Sequence, residues 1–251
     1  MKIALVGYGQ MGREVEKVAV ARNHSILIRV DPVDEEADTR ELSEASLADA
    51  DAAIEFALSD GVVANARCYS RSATPAVVGT TGWEGKRDDV LSLFSESGSL
   101  VYGGNFSIGA NVFGTIVEQA ARLISELEGF DILMYEIHHN KKRDSPSGTA
   151  LHLANRIVSA GSKRSIVTER LDRPPKADEL HVASVRGGST PGVHSVIVDS
   201  ASDSIELIHR ARNRSGFATG AVLAAEWLVG KRGVYTVEEF IDDLIGQEGV
   251  R

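Results

Sequence analysis

The chain holds a single cysteine, Cys68, among 251 residues. One thiol excludes an intrachain disulfide and a cysteine-built metal cluster, and it fits a reducing cytoplasm. Positive charge is also short: 27 lysines and arginines stand against 36 aspartates and glutamates, for a formal net charge of −9. A general binder of nucleic acid or of an anionic membrane needs a net basic surface, so both partner classes are excluded. No apolar run is long enough to span a bilayer, and the chain opens on a strand-like Lys2-Ile3-Ala4-Leu5-Val6 rather than on a leader segment. The expectation is a cytoplasmic protein. Low-complexity tracts, internal repeats and flexible linkers are also missing. What is present is 43% hydrophobic content, enough core for one large or two small domains.

The first 31 residues read as a β-α-β unit. A continuously apolar strand, as in a sheet covered on both faces, runs into Gly7-Tyr8-Gly9-Gln10-Met11-Gly12. This G-x-G-x-x-G opens a helix with apolar positions at Met11, Val15, Val18 and Ala19, and a second strand over 26–30 ends in Asp31. Glycines let the backbone turn tightly and approach a pyrophosphate, while the helix N-terminus neutralises it. The motif alone is weak. Between strand and helix, with a carboxylate closing the second strand, it points to a dinucleotide; a tight glycine turn without a ligand is the alternative.

Three further βα units follow, with strands over 51–56, 75–78 and 99–102, and helices from Ser59, as cap, to Ser72 and over 86–96. Ligands of such sheets bind at the carboxyl ends of the strands. Phe56, Gly79-Thr80-Thr81 and Gly104-Asn105-Phe106 fall there, although Phe56 and Phe106 read equally well as core aromatics. The expected fold class is α/β, a Rossmann-type doubly wound parallel sheet.

Near Ile108 the pattern changes. After a long helix over 111–125, strands dominate, over 131–138, 181–186, 193–199 and 204–211, the last three in hairpin succession with turn signals at Gly187-Gly188 and Ser202-Asp203. Helices over 217–229 and 236–245 return to the first domain. The predicted arrangement is a dinucleotide-binding domain of residues 1–107 and 215–251. An inserted α+β domain of residues 108–214, on a mixed or antiparallel sheet, would bind substrate and form oligomers.

One loop departs from the acidic background. Glu136-Ile-His138-His139-Asn-Lys-Lys142-Arg-Asp144-Ser-Pro-Ser147-Gly148-Thr149-Ala150 reads as strand, cationic loop, helix start. Ser147 can cap that helix, leaving the amides of Gly148 and Thr149 to meet an anion at the positive end of the helix dipole. Such a loop suits a small ligand carrying carboxylates and a reaction that needs a proton; a solvated basic loop is the alternative. A metal site is excluded: adjacent histidines share no helical face, HExxH spacing is absent, and the neighbours are cationic.

His138-His139, Lys142, and Asp144 with Pro146-Ser147-Gly148-Thr149-Ala150 closely resemble the signature of the dihydrodipicolinate reductase family. The resemblance extends over Ser184 to Gly188, Gly192-Val193-His194, His209 to Arg214 and Phe217 to Ala221. The glycine loop is one residue shorter than the common family form, and Ser145 stands where alanine is usual. The resemblance implies nicotinamide-dependent reduction of 4-hydroxy-tetrahydrodipicolinate in lysine and diaminopimelate biosynthesis, by a homotetramer built through the inserted sheet. It implies His138 as proton donor and Lys142 as second catalytic residue, with His139, Gly148 and Thr149 holding the carboxylates of a cyclic dicarboxylate. Gly7 to Gly12, Asp31, Phe56, Gly79 to Thr81 and Gly104 to Phe106 would hold the cofactor.

The cofactor expectation is NADH preferred, with NADPH still used. Asp31 can accept from the ribose hydroxyls of NADH but repels a 2′-phosphate, and Pro32 offers no compensating charge. Arg29 is the one nearby cation that could swing out. Two alternatives remain: another amino-acid or imino-acid dehydrogenase of the same two-domain plan, or a non-catalytic dinucleotide-sensing protein.

Overall fold

The structure, a computed structural model, describes residues 1–95 and 98–246. Glu96, the expected end of the third helix, and 247–251 at the end of the expected nucleotide domain lie outside the described residues. The chain divides into two compact units, Met1–Ile108 with Arg214–Arg251, and Gly109–Asn213.

The first unit is built on β1 (Lys2–Val6), β2 (Ser25–Val30), β3 (Ala52–Glu55), β4 (Ala76–Val78), β5 (Ser99–Tyr102) and β11 (Gly233–Thr236). Every pairing is parallel and the order is β11-β5-β4-β3-β1-β2. The chain thus winds outward from β1 to β2, then returns to β3 on the other side, which makes the sheet doubly wound. Helices cover both faces because both are apolar. Ile3, Leu5, Ile54 and Val77 pack with α1 (Gln10–Ala21), α6 (Ser215–Leu228) and α7 (Val237–Leu244). Ala4, Val6, Ala53 and Val78 pack with α2 (Val62–Ser72) and α3 (Arg87–Ser92).

Two local expectations fail here. Ser59 is not a cap: it starts a single 3-10 turn, Ser59–Gly61, and α2 begins only at Val62. The helix expected over 236–245 begins only at Val237, because Gly233–Thr236 forms the edge strand β11 that leads straight into α7. Thr236 then caps α7 in a capping box with Glu239.

The second unit carries a mixed sheet in the order β10-β9-β6-β8-β7. Its strands are β6 (Asp131–His138), β7 (Ser165–Val167), β8 (Glu179–Arg186), β9 (Gly192–Asp199) and β10 (Ser204–Ala211). Strands β9 and β10 form the expected hairpin, but β8 and β9 do not pair. Strand β6 lies between them, parallel to β8 and antiparallel to β9. The glycine-rich turn was legible, but the five residues 187–191 can cross one intervening strand, a span of about 10 Å. Along β6, Ile132 and Met134 face the core with Phe113 and Val117 of α4 (Ile108–Ile124) and Leu153 and Ile157 of α5 (Gly148–Ser159). Strand period two puts Glu136 and His138 on this same face. No helix among the described residues is long and apolar enough to cross a membrane.

Candidate active site

In the first unit the expected cofactor residues gather at the carboxyl ends of β1 to β5. Gly7 has φ +88°, and a Cβ there would lie 2.2 Å from the carbonyl oxygen of Phe56. Only glycine fits that turn. A Cβ at Gly12 would lie 2.1 Å from the Gly7 carbonyl oxygen, so the helix could not pack so closely on the turn. Around Gly9 nothing lies within 4 Å of such an atom. This is the division of labour a pyrophosphate loop needs: a turn, an open approach and a close packing. Tyr8 is buried, and its hydroxyl bonds to Glu16; Gln10 and Met11 open α1.

Asp31 closes the loop from the second strand. Its Oδ2 accepts from the Tyr8 amide at 2.8 Å, and its Oδ1 from the amides of Val33 and Asp34 at 2.9 Å each. Burial opposes ionisation, but these three donors hold the carboxyl below its ordinary range. Around it stand three guanidinium groups rather than the one expected, with Arg40 bonded to the Asp34 carbonyl at 2.6 Å. Arg29 is tied to Glu16 through both Nε and Nη2, and to Asp38 at 3.3 Å. Arg13 shares its Nη2 between the two carboxylate oxygens of Asp34, at 2.9 and 2.8 Å, and bonds through Nη1 to Glu36.

Farther along the sheet, Phe56 lies against Gly79, where any side chain would overlap its ring, and meets Phe106 edge-on at 6.3 Å. Thr80 accepts from the Ala57 amide at 3.0 Å and donates to Glu55 at 3.2 Å. Burial pushes the Glu55 carboxyl up to about 7, against hydrogen bonds from Tyr69, Asn65 and Thr80. Thr80, Thr81 and Gly104 line a cavity of about 160 Å³ with Trp83, Arg87 and Tyr102. The Asn105 side chain accepts from the Ser107 amide at 2.9 Å.

The second unit assembles a cluster that the sequence did not announce. In register across the sheet run His209 on β10, His194 on β9, Glu136 on β6 and Ser184 on β8. His138 and Arg186 form the next row. Glu136 is fully buried. Its Oε1 accepts from the Ser147 amide at 2.9 Å, the Ser184 hydroxyl at 2.9 Å and Arg186 at 2.7 Å. Its Oε2 accepts from the Ser147 hydroxyl and lies 3.2 Å from His138 Nδ1 and 3.6 Å from His194 Nε2. Burial works against the charge, but His194, Ser147 and Arg186 outweigh it and hold the carboxyl far below the usual range.

His138 ends β6, buried. Burial pushes its imidazole down to about 4, opposed by Glu136 and reinforced by His194, Lys142 and Arg186. His139 follows in the turn, its amide donating to the Thr190 carbonyl at 2.8 Å, and so leaves the strand where the two rings would otherwise diverge. Ser147 caps α5 by accepting from the Ala150 amide at 3.1 Å. Lys142 pairs with Asp144 at 2.9 Å, and the Asp144 carboxyl, which burial would raise, is held low by Lys142 and by the Gly148 amide. The anion-receiving end of α5 thus engages a carboxylate from the chain itself.

Glu136, His138 and His194 offer donor atoms within 4.8 Å of one another, a spacing a cation could use. Four hydrogen bonds already occupy the carboxylate, and one comes from a guanidinium, which repels a metal ion. The group is a hydrogen-bonded cluster. Glu136, Ser184, Arg186, Gly192, His194 and His209 were not expected as site residues; all but Glu136 have a place in family-like segments as their one signal.

The family model described as dihydrodipicolinate reductase, N-terminus, matches residues 1–106, and that described as dihydrodipicolinate reductase, C-terminus, matches residues 109–241. The 4-hydroxy-tetrahydrodipicolinate reductase of Christiangramia forsetii is 36% identical over 245 residues, covering 97% of this chain and 99% of that one. That of Archaeoglobus fulgidus is 35% identical over 260 residues, covering 96% and 100%. In fold, the dipicolinate-bound dihydrodipicolinate reductase from Paenisporosarcina sp. TG-14 superposes with a TM-score of 0.76 at 20% identity, over 95% of this chain and 98% of that one. The chain therefore belongs to the dihydrodipicolinate reductase family, the nicotinamide-dependent oxidoreductases of lysine and diaminopimelate biosynthesis.

Proposed function

We propose that this chain reduces 4-hydroxy-tetrahydrodipicolinate to tetrahydrodipicolinate, with the first unit holding the dinucleotide and the second the cyclic dicarboxylate. The observation that carries the reading is the buried His138, held neutral in the free protein beside Lys142 and the capped start of α5. Residues 7–12 and Asp31 would hold pyrophosphate and ribose, and Phe56, Gly79 to Thr81 and Gly104 to Phe106 the nicotinamide end. When bound, the dihydronicotinamide supplies the hydride. His138 delivers the proton, and Lys142, a compact charge, stabilises negative charge at the reacting centre. His139, Gly148 and Thr149 grip the ligand carboxylates, one of which takes the place of Asp144 at the helix end. Loss of dihydronicotinamide absorbance on adding freshly made substrate tests the reaction; no loss with either cofactor overturns it.

The same assay tests the preference for NADH. Five carboxylates, Glu16, Asp31, Asp34, Glu36 and Asp38, surround the end of β2. Arg29 and Arg13 are already bonded to four of them, which leaves Arg40, bonded to the Asp34 carbonyl at 2.6 Å, as the guanidinium nearest to hand for a 2′-phosphate. The expected outcome is a higher kcat/KM for NADH at low salt, and a value for NADPH at least equal would overturn it.

A homotetramer working in the cytoplasm completes the reading. The outer face of the second sheet supports it: Leu133 (40% exposed), Val185 (50%) and Ile208 (37%) share one face by strand register. Such a contiguous apolar face suits a subunit interface. Sedimentation should show a tetramer that Ile208→Glu disrupts, whereas a monomeric wild type removes this part.

A further inference from the structure

We propose that Glu136 is the positioning residue of this site, holding His138 with its Nδ1–H turned to the buried carboxylate and its Nε2 turned out over Gly192. The proposal rests on His138 as proton donor and asks what fixes that ring.

A carboxylate at position 136 has no packing rationale. The preceding residues on the same face of β6, Ile132 and Met134, are apolar core. An apolar side chain of similar volume would avoid the desolvation penalty, since buried ion pairs seldom stabilise more than good packing does. Instead, donors converge on Glu136 from two other places, Ser147 at the start of α5 and Ser184 with Arg186 on β8, while His194 on β9 stands 3.6 Å away. They keep one negative charge permanently beneath His138. Among the described residues Nδ1 has one acidic neighbour, Glu136 Oε2 at 3.2 Å, in an alignment short of a good hydrogen bond. Catalytic hydrogen bonds commonly tighten only when the ligand is bound.

The other ring nitrogen lies against Gly192. An added Cβ there would stand 2.9 Å from His138 Nε2, so the ring keeps this place because position 192 has no side chain. His194 closes the ring on its flank, edge-on at 5.2 Å, with its own Nε2 at 3.2 Å from the Ser147 hydroxyl. The charged groups facing His138 are therefore Glu136 on its own strand, Arg186 on β8 and Lys142 in the loop, with titratable His194 on β9. Only Glu136 favours an imidazolium. With Nδ1 protonated toward Glu136, Nε2 is the atom that takes up a proton and passes it to the substrate.

Nitrogen-15 NMR of the wild-type protein with labelled histidines reads the arrangement directly, His138→Gln identifying the signals. The expected result is a protonated Nδ1 and a bare Nε2 at neutral pH without ligand, with Nε2 becoming partly protonated when pyridine-2,6-dicarboxylate binds. The opposite tautomer overturns the proposal, and this arm needs no variant at position 136 to fold. In kinetics, Glu136→Gln should lower kcat on the order of 10²-fold or more, leave KM for the reduced cofactor unchanged, and move the alkaline limb of kcat to lower pH. Glu136→Asp, which keeps the charge, should restore part of the loss. If His138→Gln is inactive while Glu136→Gln keeps full turnover and an unmoved profile, positioning by Glu136 is wrong. If His138→Gln itself turns over normally, the donor assignment fails instead.

Discussion

Replacing His138 with glutamine is expected to lower kcat by about 10²–10⁴-fold, the usual worth of a general acid, with affinity for the reduced cofactor unchanged. Lys142→Ala should fall in the same range. The reason lies in how His138 acquires its proton. Burial holds its pKa at about 4 in the free protein, so near neutrality it carries no positive charge. A ligand carboxylate about 4 Å away contributes about 4 kcal/mol at an effective dielectric of 20, or roughly three pKa units. A dicarboxylate therefore loads the acid as it binds. Binding of pyridine-2,6-dicarboxylate should take up about half a proton at neutral pH in the wild type, and none through this group in His138→Gln. Calorimetry in buffers of different ionisation heat reads this, and equal uptake by both proteins would assign the proton elsewhere.

The same pKa has a consequence for folding. Between the folded value of about 4 and the ordinary value of about 6.5, an unfolded chain takes up a proton that the folded chain refuses. Stability is thus kept above that window and lost as pH falls through it. His138→Gln lacks this titration, so any stability lead of the wild type should shrink on acidification across the window. Urea melts at both ends check the sign, and an unchanged difference would mean that the ring is not held neutral.

What the sequence revealed depended on how local the cause was. Gly7, Gly9 and Gly12 act within six residues, through a turn and a helix start, and their spacing carries that information. Asp31 was legible for a similar reason, because a strand end places it beside the loop. Ser147 was readable as a cap from the residues around it. Glu136 was not, since Tyr135-Glu136-Ile137 looks like any strand with one polar residue. Its meaning comes from Ser184 and Arg186, 48 and 50 residues away, and from His194, 58 positions on by residue number. Register brings these together, and register was where the reading failed: turn residues between β8 and β9 marked a reversal of the chain but not the edge to which β9 returns. Because β6 lies between them, Glu136 has one cross-strand neighbour on each side. A β8–β9 hairpin would have left His194 off the row. The short edge strands β7 and β11 escaped notice although β4 is as short, because neither belongs to the run of alternating strands and helices that made β3 to β5 legible.

Gly192 offers the sharpest separation of chemistry from folding. It has a neighbour in register on β10, and its missing side chain lets His138 Nε2 keep its place. The added methyl of Gly192→Ala would sit 2.9 Å from Nε2 and 3.3 Å from Cδ2, closer than the ring can tolerate. Nε2, the closer of the two, is at the far end of a side chain at a strand end, so the ring can move while the backbone keeps its ladder. Global stability should change by no more than about 1 kcal/mol, within the range for substitutions that create no cavity and bury no unpaired charge. The ring moves by a substantial part of an ångström, and a misplacement near 1 Å can cost about 10²-fold in rate. Gly192→Ala is therefore expected to lose on the order of 10²-fold in kcat, with unchanged affinity for reduced cofactor and a nearly unchanged urea midpoint. A larger side chain, as in Gly192→Val, should deepen the loss in kcat. Normal turnover in Gly192→Ala would show that Nε2 does not work from that place, and would redirect the search for the proton donor to Lys142.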